Sequence, residues 1–71
     1  MLEFGRLLKI IRVNNGETAN MMAEKLFISP SYLSSIESGK RKVSVNLIEM
    51  ITETYNLTPY EEVQLHEAVI G

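Results

Sequence analysis

The stretch GETANMMAEKLFISPSYLSSIESG, residues 16–39, decides the fold because it carries the signals for two short helices joined by a tight turn. Thr18 is a favourable N-cap residue for the first helix. Ser29 is a favourable N-cap for the second, and Pro30 then takes the first helical position, where a missing N–H costs nothing. Gly39 ends the second helix, since glycine accepts the left-handed conformation found at helix ends. This stretch is therefore predicted to form a helix pair.

Three further helices are predicted on either side of this pair. Phe4, Leu7, Leu8 and Ile11 follow the i, i+3, i+4, i+7 spacing of one buried helix face. The segment TPYE, residues 58–61, combines a capping box with proline at the first helical position, which is a strong start signal for the last helix. No stretch alternates with period two over a useful length, so the predicted fold is all-α. The five predicted helices cover about residues 2–14, 18–26, 30–37, 44–55 and 59–70.

Length and composition limit the classes of protein to consider. The chain has 71 residues, near the lower limit for a domain that folds without disulfides or metal ions, so residues 1–71 are predicted to form one domain. It has no cysteine and a single histidine, His66, predicted to lie on the surface, so neither a metal ion nor a cofactor is expected. Charged residues interrupt the apolar N-terminal segment. No signal peptide or membrane span is predicted, and a cytoplasmic location is expected.

Charge is distributed unevenly along the chain. Residues 1–42 hold all seven basic residues and four acidic ones, a net charge of +3, whereas residues 43–71 hold five acidic residues and no basic one, a net charge of −5. Since binding depends on local potential, the overall charge of −2 does not exclude nucleic acid as a partner. The alternative is that charge simply scatters unevenly in a short chain.

The second helix of the pair carries its serines on one face. On a helical wheel of about 100° per residue, Leu33 and Ile36 point to one side. Pro30 and Tyr32 lie at the borders. The opposite side, called the serine face below, holds Ser31, Ser34, Ser35 and Ser38. Small hydroxyl side chains let a helix sit deep in the DNA major groove, and serine can bond to base edges and phosphates. The alternative is an ordinary exposed face of small polar residues.

The basic loop, defined as residues Lys40, Arg41 and Lys42, follows this helix directly. Its side chains can reach phosphates that flank the groove, which contributes to affinity independently of sequence. The alternative is that these three charged side chains are simply solvated, which is common in loops. A serine face next to a basic loop therefore indicates double-stranded DNA more specifically than either feature alone.

Residues 16–39 resemble the helix-turn-helix of the lambda-repressor-like family, also called XRE-type regulators. The positions that fit the family pattern are Gly16, Thr18, Met22, Ala23, Leu26, Ile28, Ser29, Leu33, Ser34, Ile36, Glu37 and Gly39. The resemblance covers about residues 4–57 and implies a compact five-helix lambda-repressor-like DNA-binding domain. Helices two and three would form the motif, about residues 18–38, and helix three, about residues 30–37, would enter the major groove.

The resemblance also implies roles for individual residues. The base contacts fall on Ser31, Ser35, Tyr32, Ser34 and Pro30. Pro30 lacks polar atoms and offers only packing. The phosphate contacts fall on Thr18, Ser38, Lys40, Arg41 and Lys42. Arg12 and Glu37 match a pair that forms a partly buried salt bridge between the first and third helices. Because serine side chains are short, specificity is expected to come substantially from DNA shape and from dimer spacing.

Three residues depart from the family pattern. Ala19 stands where the family usually has a glutamine that binds a phosphate and contacts the recognition helix, which is helix three. Phe27 replaces the turn glycine, so the turn must accept a bulky residue, and the structural alternative is that Phe27 plugs the core. Glu17 stands where an apolar residue is usual, which would place a negative charge near DNA.

The last predicted helix, about residues 59–70, is rich in apolar residues. Either all of them cover the core, or some form a two-fold dimer contact, as is common in readers of palindromic sites. The apolar residues are Tyr60, Val63, Leu65, Ala68, Val69 and Ile70.

The predicted function is a sequence-specific regulator that binds a double-stranded DNA operator, as a homodimer, and represses a promoter near its own gene. Such small regulators resemble those of phages and other prokaryotic mobile elements. The alternative is a protein-binding module of the same fold, antitoxin-like, with little DNA affinity. An enzyme is not predicted, because a serine nucleophile needs a nearby base and His66 lies in a different predicted helix from the serine face.

Overall fold

Five α-helices make up the structure, a computed structural model that describes residues 2–70. They are α1 (Leu2–Asn14), α2 (Ala19–Lys25), α3 (Pro30–Glu37), α4 (Val45–Thr54) and α5 (Pro59–Ile70). The five predicted helices are confirmed, and their ends differ from the predicted ones by no more than one residue. Within residues 2–70 there is no strand, and no helix combines the length and apolar character that crossing a membrane requires.

Hydroxyl side chains begin four of the helices, as the sequence predicts. The cap residues are Thr18, Ser29, Ser44 and Thr58, and each side-chain oxygen accepts a hydrogen bond from the backbone N–H three residues later. At α5 the capping box is complete, because the Thr58 N–H donates to Glu61 Oε1 at 2.9 Å while the Glu61 N–H donates to Thr58 Oγ1 at 3.2 Å. Each cap contributes about 1 kcal/mol, so local signals alone fix where these helices start.

The first four helices end in the same way. After each one, a residue in the left-handed conformation lets two backbone N–H groups reach back to the last turn, the Schellman arrangement. The residues with positive φ are Gly16 at 67°, Phe27 at 58°, Gly39 at 81° and Asn56 at 52°. Glycine and asparagine suit this conformation, whereas a bulky side chain raises its energy by roughly 1–2 kcal/mol. Phe27 is therefore the exception among the four.

Phe27 does not cover the core. Its N–H donates to the Glu24 carbonyl at 3.2 Å, and the Ile28 N–H donates to the Ala23 carbonyl at 3.0 Å, so the backbone turns as it would with glycine. The side chain is 86% exposed. The turn accepts a bulky residue, as expected, and the alternative of a plug over the core is wrong, because the left-handed conformation directs Cβ outward at this turn.

One core joins all five helices. Its buried apolar members are Phe4, Leu8, Met22, Ala23, Leu26, Leu33, Ile36, Leu47, Ile48, Ile51, Leu65 and Ala68. Leu7 and Ile11, whose spacing predicts an inward position, are only partly buried and pack at its edge, as does Tyr55. The core fixes α3 by Leu33 and Ile36, which leaves the serine face on the outside.

Gly5 brings α1 against the end of α3. It is buried, and a Cβ added at this position would lie 2.7 Å from the carbonyl oxygen of Ile36 and closer still to that of Glu37. Real Cβ atoms do not approach backbone oxygens so closely. A residue without a side chain is therefore required where α1 crosses the last turn of the third helix.

Candidate nucleic-acid interface

Hydrogen bonds divide the serine face into two serines with bonded hydroxyl groups and two without. Ser31 and Ser34 are exposed. Ser35 is half-buried, and its hydroxyl donates to the Ser31 carbonyl at 3.0 Å, while the Ser38 hydroxyl donates to the Ser35 carbonyl at 3.2 Å. Ser35 in this rotamer therefore offers only its lone pairs to a base edge. Pro30 is exposed at the start of the same helix.

The basic loop is attached to α3 through one carbonyl group. The N–H groups of Lys40 and Arg41 donate to the Ser35 carbonyl at 2.9 and 3.3 Å. The three side chains of the loop, from Lys40 to Lys42, are exposed. Cations beside the C-terminal end of a helix are favoured by its dipole. The structure thus brings the serine face and the basic loop together, as the sequence analysis predicts.

Tyr32 connects α3 to the basic loop. Its ring is half-buried, the Arg41 guanidinium carbon lies 5.9 Å from the ring centroid, and its hydroxyl donates to the Lys42 carbonyl at 3.5 Å. An exposed cation–π contact of this kind contributes about 0.5–1 kcal/mol. Tyr32 therefore holds the loop in place in addition to its predicted position at the border of the serine face.

Thr18 is exposed at the start of α2. Its Oγ1 accepts from the Met21 N–H at 3.2 Å, so the hydroxyl proton stays available to donate to a phosphate oxygen. Ala19 beside it is half-buried and packs against the core. The phosphate contact that a glutamine would make at this position is absent from the chain.

Arg12 and Glu37 form the predicted salt bridge. Arg12 Nε lies 2.9 Å from Glu37 Oε2, and Nη2 donates to Oε1 at 3.1 Å, a bidentate pair whose side chains are 14% and 13% exposed. The bond to Glu37 raises the pKa of Arg12, although burial acts in the opposite direction. Arg12 Nη1 also donates to the Glu17 carbonyl at 3.2 Å. The pair ties α1 to the last residue of α3 and so helps orient the serine face.

Glu17 is paired inside the fold, so its carboxylate is not exposed to solvent. The residue is only 8% exposed. Its carboxylate accepts hydrogen bonds from the Tyr55 hydroxyl at 2.5 Å and from the Lys25 ammonium group. The Lys25 nitrogen also lies 5.4 Å from the centroid of the Tyr55 ring. These three residues, called the Glu17 cluster below, join the α1–α2 loop to α2 and α4.

Titration of the Glu17 cluster follows from this geometry. Burial raises the pKa of Glu17, but the hydrogen bonds from Lys25 and Tyr55 and the charge of Lys25 together outweigh it, and the pKa is lowered. Burial and the bond to Glu17 raise the pKa of Tyr55 well above its usual range. Glu17 is therefore ionised and Tyr55 neutral at neutral pH.

Glu17→Gln is expected to lower the free energy of unfolding by about 1–3 kcal/mol at pH 7, because Lys25 and Tyr55 lose an ionised acceptor. A carboxylate with a lowered folded pKa stabilises the fold above its ordinary pKa of 4.5, and this stabilisation is lost as the pH falls through the folded value. The gap between variant and wild type in urea unfolding should therefore narrow below about pH 4.5. Glu24→Gln, at an exposed position of α2, is the control. A gap that stays constant down to about pH 3 contradicts the prediction.

The α5 helix has both a core side and an exposed apolar side. Leu65 and Ala68 are buried, whereas Tyr60 is 72% and Val63 is 52% exposed. The helix therefore covers the core and still presents two apolar side chains outward. His66 is half-buried, with Nε2 at 3.9 Å from Glu62 Oε2. Among the described residues, no group of three or more histidine or acidic side chains is placed to hold a metal ion.

Comparison with known proteins agrees with this arrangement. The sequence pattern of a family described as "Helix-turn-helix domain" matches residues 3–65, which is most of the chain. The chain belongs to the helix-turn-helix domain family. The motif of this helix-turn-helix protein is formed by α2 and α3, as predicted. No curated protein matches the chain.

The fold also matches a solved structure. The helix-turn-helix protein is similar to the restriction-modification controller protein C.AhdI from Aeromonas hydrophila, with a TM-score of 0.77 and 26% identity over 86% of this chain and 92% of the other. The predicted lambda-repressor-like fold is confirmed, and the chain is a DNA-binding domain of the transcription-regulator type. This family is one of regulators and is typically non-enzymatic.

Proposed function

We propose that this helix-turn-helix protein binds a specific double-stranded DNA operator as a homodimer and represses a promoter near its own gene. The observation that carries the proposal is the serine face of α3, exposed on a fixed helix and joined at its end to three exposed cations. The serine face is narrow enough to enter the major groove, and the basic loop supplies the charge that holds phosphates. The name of C.AhdI, a restriction-modification controller, supports a regulator as the functional class.

The contacts divide into base readers and phosphate binders. Ser31 and Ser34 present free hydroxyls to base edges, Ser35 accepts from a base amino group, and Pro30 packs on a thymine methyl. Tyr32 contacts the groove wall. The phosphates are bound by Thr18, Lys40, Arg41 and Lys42, and by Ser38 once its hydroxyl proton leaves the Ser35 carbonyl. Because the reading side chains are short, DNA shape and half-site spacing supply a substantial part of the specificity.

Dimerisation is proposed through α5. Tyr60 and Val63 lie one turn apart on its outer side and are more than half exposed. Two copies of this short apolar stripe can pack about a two-fold axis, which is the usual symmetry of proteins that read palindromic sites.

DNA binding is tested by titrating labelled duplexes from around the native gene across a series of salt concentrations. The Arg41→Glu, Lys42→Glu double variant is expected to lose about a hundredfold or more in affinity and to lower the slope of log affinity against log salt by about 2, because two phosphate contacts are lost. The matched control is Arg6→Glu with Lys9→Glu, which makes the same charge change at exposed positions of α1. The control should retain most of the affinity and the slope.

Weak, sequence-independent binding that neither double variant changes would contradict the proposal. The favoured alternative would then be a protein-binding module, antitoxin-like, with α5 as the docking helix. Ala19, which removes a phosphate contact, and the exposed Tyr60 and Val63 support this second candidate. Stable copurification with a partner, lost in Tyr60→Ala with Val63→Ala and accompanied by no salt-sensitive DNA affinity, would identify it.

A further inference from the structure

Phe27 forms one wall of a shallow surface groove next to the recognition helix. The groove has a volume of about 250 Å³ and runs between the α2–α3 turn and the start of α4. Its other lining residues include Ile28, Tyr32, Ser44, Leu47 and Met50. Phe27 is 86% and Met50 37% exposed, so apolar side chains of the groove are open to solvent beside the polar Ser44 and Asn46.

The position of Phe27 is unfavourable for the isolated protein in two ways. Its backbone has φ of 58°, in the region that glycine or asparagine takes at the corresponding ends of the other helices, and its ring lies almost entirely in water. Neither feature stabilises the core. Backbone strain is concentrated at functional sites, and here it coincides with an exposed ring on a surface groove, so the two features together point to a partner outside the molecule.

The basic residues beside the groove indicate the kind of partner that binds there. Tyr32 lines the groove and also carries Arg41 over its ring, and its hydroxyl bonds to the Lys42 carbonyl. The basic loop therefore forms one rim of an apolar groove. A strand of DNA presents this combination, since apolar deoxyribose carbons alternate with phosphates along its edge.

We propose that Phe27 and the groove bind the sugar–phosphate backbone of one DNA strand where it borders the major groove occupied by α3. The deoxyribose carbons lie against the ring of Phe27, and the adjacent phosphates face Arg41 and Lys42. This rests on the proposed DNA-binding function and adds an apolar contact to it. The contact strengthens binding without releasing counterions, so it leaves the salt dependence of binding unchanged.

The test is Phe27→Gly, with Phe27→Asn as a second variant that tolerates the same backbone conformation. Both are expected to bind the operator about tenfold more weakly at a fixed salt concentration, with the wild-type slope against salt. The melting temperature of each variant should equal or exceed that of the wild type, because the strained conformation is relieved. Lys42→Gln provides the contrast, since it should lower affinity and reduce the slope by about 1.

The control is Ile10→Ala, which removes an apolar side chain that is 53% exposed on α1, outside the groove. It should leave affinity unchanged. Wild-type affinity in both Phe27 variants, when the wild-type protein binds its operator, overturns the groove proposal alone. A lower melting temperature that accounts for the lost affinity overturns it as well, because Phe27 would then be structural. No salt-sensitive DNA binding by the wild-type protein overturns both this proposal and the proposed function.

Discussion

Gly5→Ala is expected to lower the free energy of unfolding by about 2–3 kcal/mol, although alanine favours a helix interior by about 1 kcal/mol over glycine. The added methyl group would stand 2.7 Å from the Ile36 carbonyl oxygen and closer to that of Glu37. Backbone atoms have no alternative rotamer, so α1 and α3 must separate to admit it. Thermal unfolding should show a melting temperature lower by roughly 10–20 °C.

Gly16→Ala is the matched control for this substitution. An added Cβ at Gly16 would meet nothing within 4 Å, but its φ of 67° is unfavourable for alanine. The control therefore measures conformational strain without a clash, and it should cost about 1 kcal/mol. If both variants lose the same free energy of unfolding, the close contact between α1 and the end of α3 adds nothing to the cost of Gly5→Ala, which contradicts the prediction.

Arg12→Ala is expected to lower the free energy of unfolding by about 3 kcal/mol, because it leaves the Glu37 carboxylate largely buried without its partner. The variant also loses the bond from Arg12 to the Glu17 carbonyl. For a domain whose total stability is of the order of 5–10 kcal/mol, a loss of this size removes roughly a third to more than half of the stability. Urea unfolding at neutral pH measures it.

Two further variants separate charge from packing at this site. Arg6→Ala removes an exposed arginine from the same helix and should change stability little. Arg12→Met with Glu37→Leu replaces the pair with apolar side chains and should recover most of the lost stability, since no unpaired charge remains. If Arg12→Ala is as stable as Arg6→Ala, the salt bridge does not hold α1 and α3 together.

The helix boundaries were predictable because their signals are local. Thr18, Ser29 and Ser44 each bond within three residues of their own position, so a short window of sequence contains both partners. The apolar spacing of α1 and the proline at Pro30 act over similarly short distances. The family resemblance adds the contact between Arg12 and Glu37, which spacing alone does not reveal.

The features that the sequence does not reveal concern residues whose environment depends on distant parts of the chain. Glu17 is buried because Tyr55, 38 positions later, donates to its carboxylate. Gly5 has no local signal that distinguishes it from a tolerated helix glycine, and its role appears only where α3 crosses it. Phe27 could be recognised as unusual from the pattern, but its outward direction follows from a left-handed backbone conformation that phenylalanine rarely adopts.

The separation of charge along the chain bears on how the protein meets DNA. Residues 1–42 carry +3 and residues 43–71 carry −5, within a body of 25 × 25 × 20 Å. These dimensions exceed the screening distance of about 8 Å at physiological ionic strength, so a charge acts on DNA mainly when it lies close to the duplex. In the proposed complex with DNA, an approach that brings the acidic residues of α4 and α5 to the duplex is repelled, and one that brings the basic loop is attracted. This difference shortens unproductive encounters and favours those in which α3 meets the duplex.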